Sequence, residues 1–210
     1  MTGGAAPIRS SLLVQPFPAP GQLVALAYRE LDLAANGSPE QVGELGDARL
    51  LPRPWEPASC RTPQLREQLW LWLDAVVTWL ITEHVWEVGA AIPACWPQHP
   101  HLVHEIAVLA DQRRRASHAL TSDALEEWHR YSLPAFTERM KARLQNHCED
   151  DHQPWPATAR CTRHTAEGSR RTRSDAYTAD VDAVRQTEAN GRRRPRLGLV
   201  DLDTGEIKDL

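Results

Sequence analysis

The chain has 210 residues, enough for one domain with a real core plus appendages, and its 41% hydrophobic and 25% charged composition is ordinary for a globular protein. A formal net charge of −4 removes the simplest argument for a nucleic-acid binder, although a local basic patch stays open. Four cysteines are too few and too scattered for a disulfide-built fold, and the longest apolar run, Leu69 to Ile81, is too short for a membrane span and carries Asp74.

Eight Trp against two Phe and three Tyr is unusual, and indoles of this size are expected to anchor the core. Only two of the 24 basic residues are Lys (Lys141, Lys208), a bias that follows GC-rich codons rather than a ligand. The start, Met1-Thr2-Gly3-Gly4, does not read as a signal peptide, so a cytoplasmic protein with reduced thiols is expected.

In chain order, residues 1–20 carry Pro16, Pro18 and Pro20 at alternate positions, which blocks helix and sheet and predicts an extended arm. Residues 22–34 predict a helix stopped by Asn36-Gly37. Ser38-Pro39-Glu40-Gln41 then has the form of a capping box with Pro at the first helical position. The main signal begins at Thr62-Pro63. Leu65, Leu69, Trp72, Leu73, Val76, Trp79 and Leu80 fall within an arc of roughly 120°, predicting a central helix that ends near Gly89. A proline-rich loop, 91–100, precedes a helix from His99-Pro100. A further helix follows Thr121-Ser122-Asp123, with Pro134 expected to kink or split it.

The resulting fold class is mainly α: a Trp-rich antiparallel helical bundle with a flexible Arg-rich tail and a C-terminal β-hairpin signal. Residues 1–58 read as an arm with short helices, 59–150 as the helical core, 151–196 as a flexible polar linker containing one weak helix, and 197–210 as the hairpin around Asp203-Thr204-Gly205.

Cys148, His152, Cys161 and His164 form C-x3-H-x8-C-x2-H, ligand types that zinc prefers. The spacing matches no zinc-finger class, and Pro154 and Pro156 stiffen the loop that would have to curl back, so no metal is expected there. Cys95, His99, His101 and His104 cluster around a helix start. His104-Glu105 opens an HExxH pattern, but Val108 stands where its second His belongs, so a metalloprotease is excluded. Glu126/His129 and Glu149/His152 have the spacing of di-iron ligands without a bundle context for the second pair. No nucleophile elbow and no phosphate-binding loop is present. Arginine runs occur at 113–115, 170–173 and 192–196, and nearby acidic residues nearly cancel the last two, so a solvated tail is the plainer reading.

The segments CWPQHPHLVHE (95–105) and EEWHRYSLPAF (126–136) resemble a family of Trp-rich helical proteins encoded in actinobacterial integrative and conjugative elements and plasmids. The shared features are the Trp-rich helix (Trp70–Trp86), the loop Cys95-Trp96 to His99, and the pair Trp128-His129, over about residues 60–150. The resemblance implies a genomic setting and no activity. The expectation is a non-enzymatic accessory protein that binds another protein, with no cofactor. The alternative is a DNA-associated accessory or regulatory protein that uses its Arg-rich tail. Partner contacts are expected at Trp96, His99, His129, Arg192, Arg193 and Arg194.

Overall fold

The computed structural model describes residues 12–145, 147–148, 151–193, 199–200 and 207–208, of which 190 onward by backbone only. The chain is mainly helical and divides into two compact units, Met1–Gln153 and Pro154–Leu210. Among the described residues, no helix is long and apolar enough to cross a membrane.

The first unit opens with the proline-spaced arm, which cannot use its own carbonyls in a helix or sheet. It gives them to the core: Trp72 Nε1 donates to the Pro18 carbonyl and Trp79 Nε1 to that of Gln15, both at 2.9 Å. Phe17 stands edge-on to both indoles, with ring centroids 6.5 and 5.2 Å away. Helix α1 (Gln22–Asn36) follows. Its N-terminal Leu23 amide donates to Gln68 Oε1 at 2.8 Å, and a Cβ on Gly21 would meet that same oxygen at 2.8 Å. A side chain at position 21 would therefore have to push the Gln68 amide away from the Leu23 N–H. Helix α2 (Pro39–Leu45) has the expected capping box: Ser38 N donates to Gln41 Oε1 and Gln41 N to Ser38 Oγ. Gly46, at φ +73°, stops it.

Helix α3 (Pro63–His84) buries Leu65, Leu69, Trp72, Leu73, Val76, Trp79 and Leu80, the stripe that periodicity predicts, together with Val77, which widens the same apolar arc. It ends at His84, one turn short of Gly89. It packs against α1 on one side and α4 (Pro100–Ser117) on another. The core is wider than residues 59–150, because Val24, Ala27 and Tyr28 of α1 belong to the same apolar cluster.

Beyond α4 come α5 (Asp123–Glu127), a π-turn over Trp128–Ser132, and α6 (Leu133–Leu144), running on from one another. Pro134 lacks an amide proton and its ring crowds the carbonyl four residues back, at Arg130 inside that wide turn. The helix widens instead of breaking. Trp128 is buried at 2% exposure, with its indole N–H on the Leu109 carbonyl. Glu105 of α4 receives Arg139 and Arg143 of α6 and ties the two together.

In the second unit, most of the expected flexible linker is helix: α7 (Thr158–Thr165) and α8 (Glu167–Arg193), in contact with each other. Their apolar content is too low for periodicity to reveal more than one weak helix. Among the described residues, β1 (Leu199–Val200) pairs antiparallel with β2 (Ile207–Lys208). The expected turn residues, 203–205, lie outside the described residues.

Candidate metal centre

Two separate stretches of the first unit each carry Cys-x3-His. The first is Cys95 to His99, in the proline-rich loop that leads into α4. A short 3-10 turn at Trp96–Gln98 brings the thiol back over the imidazole, and His99 occupies the position just before the first turn of α4. The second is Cys148 to His152, after the end of α6. Cys148 holds φ at +67°, a left-handed conformation that a side-chain-bearing residue rarely adopts. Such a backbone costs free energy unless something holds it, and it occurs where function demands a particular side-chain direction.

The tertiary fold brings the two stretches together. One ligand atom from each of Cys95, His99, Cys148 and His152 lies within 4.8 Å of every other. Cys95 Sγ is 3.3 Å from His99 Nε2, Cys148 Sγ is 3.4 Å from the same nitrogen, and Cys148 Sγ is 3.9 Å from His152 Nδ1. A zinc ion with bonds of about 2.3 Å to sulfur and 2.0–2.1 Å to nitrogen holds its donors roughly 3.3–3.8 Å apart at tetrahedral angles. The observed separations already approach that polyhedron.

The surroundings suit the same use. Cys148 and His99 are buried, and Cys95 and His152 are half-buried. The Gln153 amide donates to Cys148 Sγ at 3.2 Å and helps hold that sulfur in place. Asp151 accepts from the His152 amide at 2.7 Å and helps fix that loop. Burial, and then the neighbouring His152, His101 and His147, push His99 below its ordinary pKa, which favours the neutral imidazole that ligation requires. Burial, and then the adjacent Cys148 thiol, push the Cys95 thiol up. Two thiols this close resist joint ionisation until a cation neutralises them, so metal entry is coupled to proton release.

The four differ from the set that sequence spacing favours. Cys161 and His164 lie on α7 in the second unit and are not members of this cluster. Both C-x3-H halves were visible in the sequence, each grouped with its near neighbours in the chain. The repeated spacing was the one signal that could have joined them across 48 intervening residues.

The expected partner residues fare differently. Trp96 is 3% exposed and tilted against Trp70, so it packs the core and offers a partner no surface. His99 is a member of the cluster. His129 is exposed beside His84 and Trp128. Arg192 and Arg193 fall in the last turn of α8, and Arg194 lies outside the described residues. No family model, curated protein or solved structure matches this chain.

Proposed function

We propose that the chain is a non-enzymatic accessory protein that binds another protein, built as an antiparallel Trp-rich bundle whose C-terminal end is fastened by a structural zinc ion. The observation that carries this reading is the set Cys95, His99, Cys148 and His152, four donors converging within 4.8 Å. Four protein ligands complete zinc's tetrahedron, and catalytic zinc sites keep one position open for water or substrate. A closed site of this kind holds chain segments together and does no chemistry. Reduced thiols fit the cytoplasmic location, and the mobile-element setting and terminal hairpin belong to the same proposal. Support for a protein partner comes from α8, where Tyr177, Val181 and Val184, at i, i+4 and i+7, are 65%, 45% and 53% exposed on one face.

The test is elemental analysis of the full chain after dialysis. About one zinc per chain is expected. A Cys95→Ser, Cys148→Ser double variant loses it, and a Cys161→Ser variant keeps it. Absence of zinc from the wild type after reconstitution under reducing conditions defeats the metal centre. Zinc retained by a Cys95→Ser single variant but lost with Cys161 restores the grouping by linear spacing.

A further inference from the structure

The second unit carries a charge distribution unlike that of the first. Between Thr158 and Ser174 stand five arginines (Arg160, Arg163, Arg170, Arg171, Arg173) and a single carboxylate, Glu167, in a chain that is net acidic overall. Several arginines elsewhere meet carboxylates: Arg49 with Asp47, Arg114 with Asp111, Arg139 and Arg143 with Glu105, Arg185 with Asp182. Among the described residues, no ion pair forms in this stretch. Arg173 donates to the His164 carbonyl, while Arg160, Arg163, Arg170 and Arg171 are exposed.

The helices present these groups in order. Arg160 and Arg163 are three apart on α7, about 60° around the axis, and Arg170 and Arg171 lie in the first two turns of α8. The threonines between them do not compete as donors. Thr162, Thr165 and Thr172 each turn the hydroxyl back onto a carbonyl of the preceding turn. The guanidinium groups are left as the outward-facing donors.

The identity of the partner follows from what the stretch lacks. Residues 158–174 contain no Leu, Ile, Val, Met, Phe, Tyr or Trp. A protein partner needs an apolar or aromatic anchor at the centre of its interface, and a membrane surface needs one to insert. A phosphodiester backbone needs neither. It asks for exposed, uncompensated cations at helical spacing, and guanidinium groups suit phosphate oxygens through paired hydrogen bonds.

We infer that α7 and the first two turns of α8 form a nucleic-acid contact surface on which Arg160, Arg163, Arg170 and Arg171 take phosphate oxygens. The contact is assigned to the phosphate backbone, which carries no sequence information directly. This surface does not depend on the metal centre.

The test uses the full chain and a random-sequence DNA duplex, with affinity measured across a salt series. Wild-type protein binds at low salt, and log K falls linearly with log salt. The R160Q/R163Q/R170Q/R171Q variant reduces that slope by about 3–4 and weakens binding at least about tenfold. Arg185→Gln, which removes a cation already paired with Asp182, changes the slope by less than about 1. Because the four side chains have no carboxylate partner, the thermal unfolding of the variant matches wild type. No binding at about 50 mM salt overturns the inference, and so does an unchanged slope in the quadruple variant. Equal binding to anionic phospholipid vesicles or to polyglutamate overturns the assignment to nucleic acid.

Discussion

Trp72, Trp79 and Trp128 each combine a ring buried to 7% exposure or less with an indole N–H satisfied by a backbone carbonyl. Burial of a donor without a partner is costly, so both conditions must hold for such a core to be stable. Trp72→Ala removes the ring and leaves a cavity, and is expected to cost about 3–5 kcal/mol in denaturant unfolding. Trp72→Phe keeps most of the apolar volume but strands the Pro18 carbonyl, at about 1–2 kcal/mol. An unchanged stability in Trp72→Phe would mean that the arm's hydrogen bond adds nothing. His84 illustrates the opposite condition. Its ring meets Trp79 and Trp128 edge-on at 4.6 and 5.5 Å, and Nε2 is buried with no partner. Burial, then His129 and Arg113, push its pKa below the ordinary 6.5, against a smaller opposing effect of Glu83. A histidine with a depressed folded-state pKa binds its proton more tightly when unfolded, so stability is full above the ordinary value of 6.5 and falls as pH drops through it toward the folded-state pKa. His84→Phe should flatten this acid-side loss in melting temperature, and an unaltered pH profile would exclude His84 as its source.

At the scale of elements, α1 and the arm before it are parts of the core. Val24 is fully buried, Gln68 of α3 caps the start of α1, and the arm's carbonyls satisfy two indoles. A fragment of residues 59–150 should therefore lack a cooperative thermal transition, and adding residues 12–58 should restore it. A sharp transition in the shorter fragment would restrict the core to α3, α4 and α6. The π-turn at Trp128–Ser132 is a second element-level device. It takes up the missing donor of Pro134 while keeping Trp128 in the core and leaving His129 exposed.

For the whole molecule, the metal centre would link the loop before α4 to the segment after α6, joining parts of the chain some 50 residues apart. A structural zinc contributes folding free energy on the order of 10 kcal/mol in small domains, so its removal is visible globally. Chelation should lower the melting temperature and open the segment between Leu144 and Gln153 to proteolysis, with zinc re-addition reversing both. An unchanged cleavage pattern after verified metal loss would show that packing alone holds the segment.

The sequence by itself determined the elements whose signals are local. These include the buried face of α3, the capping box of Ser38 and Gln41, and the proline-spaced arm, because periodicity, caps and prolines act within one or two turns. It also determined that Trp72, Trp79 and Trp128 would be buried, since transfer from water favours burial of a large ring, whereas Trp86 and Trp155 are exposed. Of α7 and α8 only a weak helix within the second was legible, because their stripe of apolar residues is too sparse to register against their charges. What completed the Trp donors, and which cysteine faced which histidine, only the tertiary structure decided. Cys148 has Cys161 nearer in sequence, yet it meets Cys95 because the packing of α3, α4 and α6 sets where loop ends converge. Coordination depends on distance in space, and no rule of spacing along the chain supplies that distance until the core is packed.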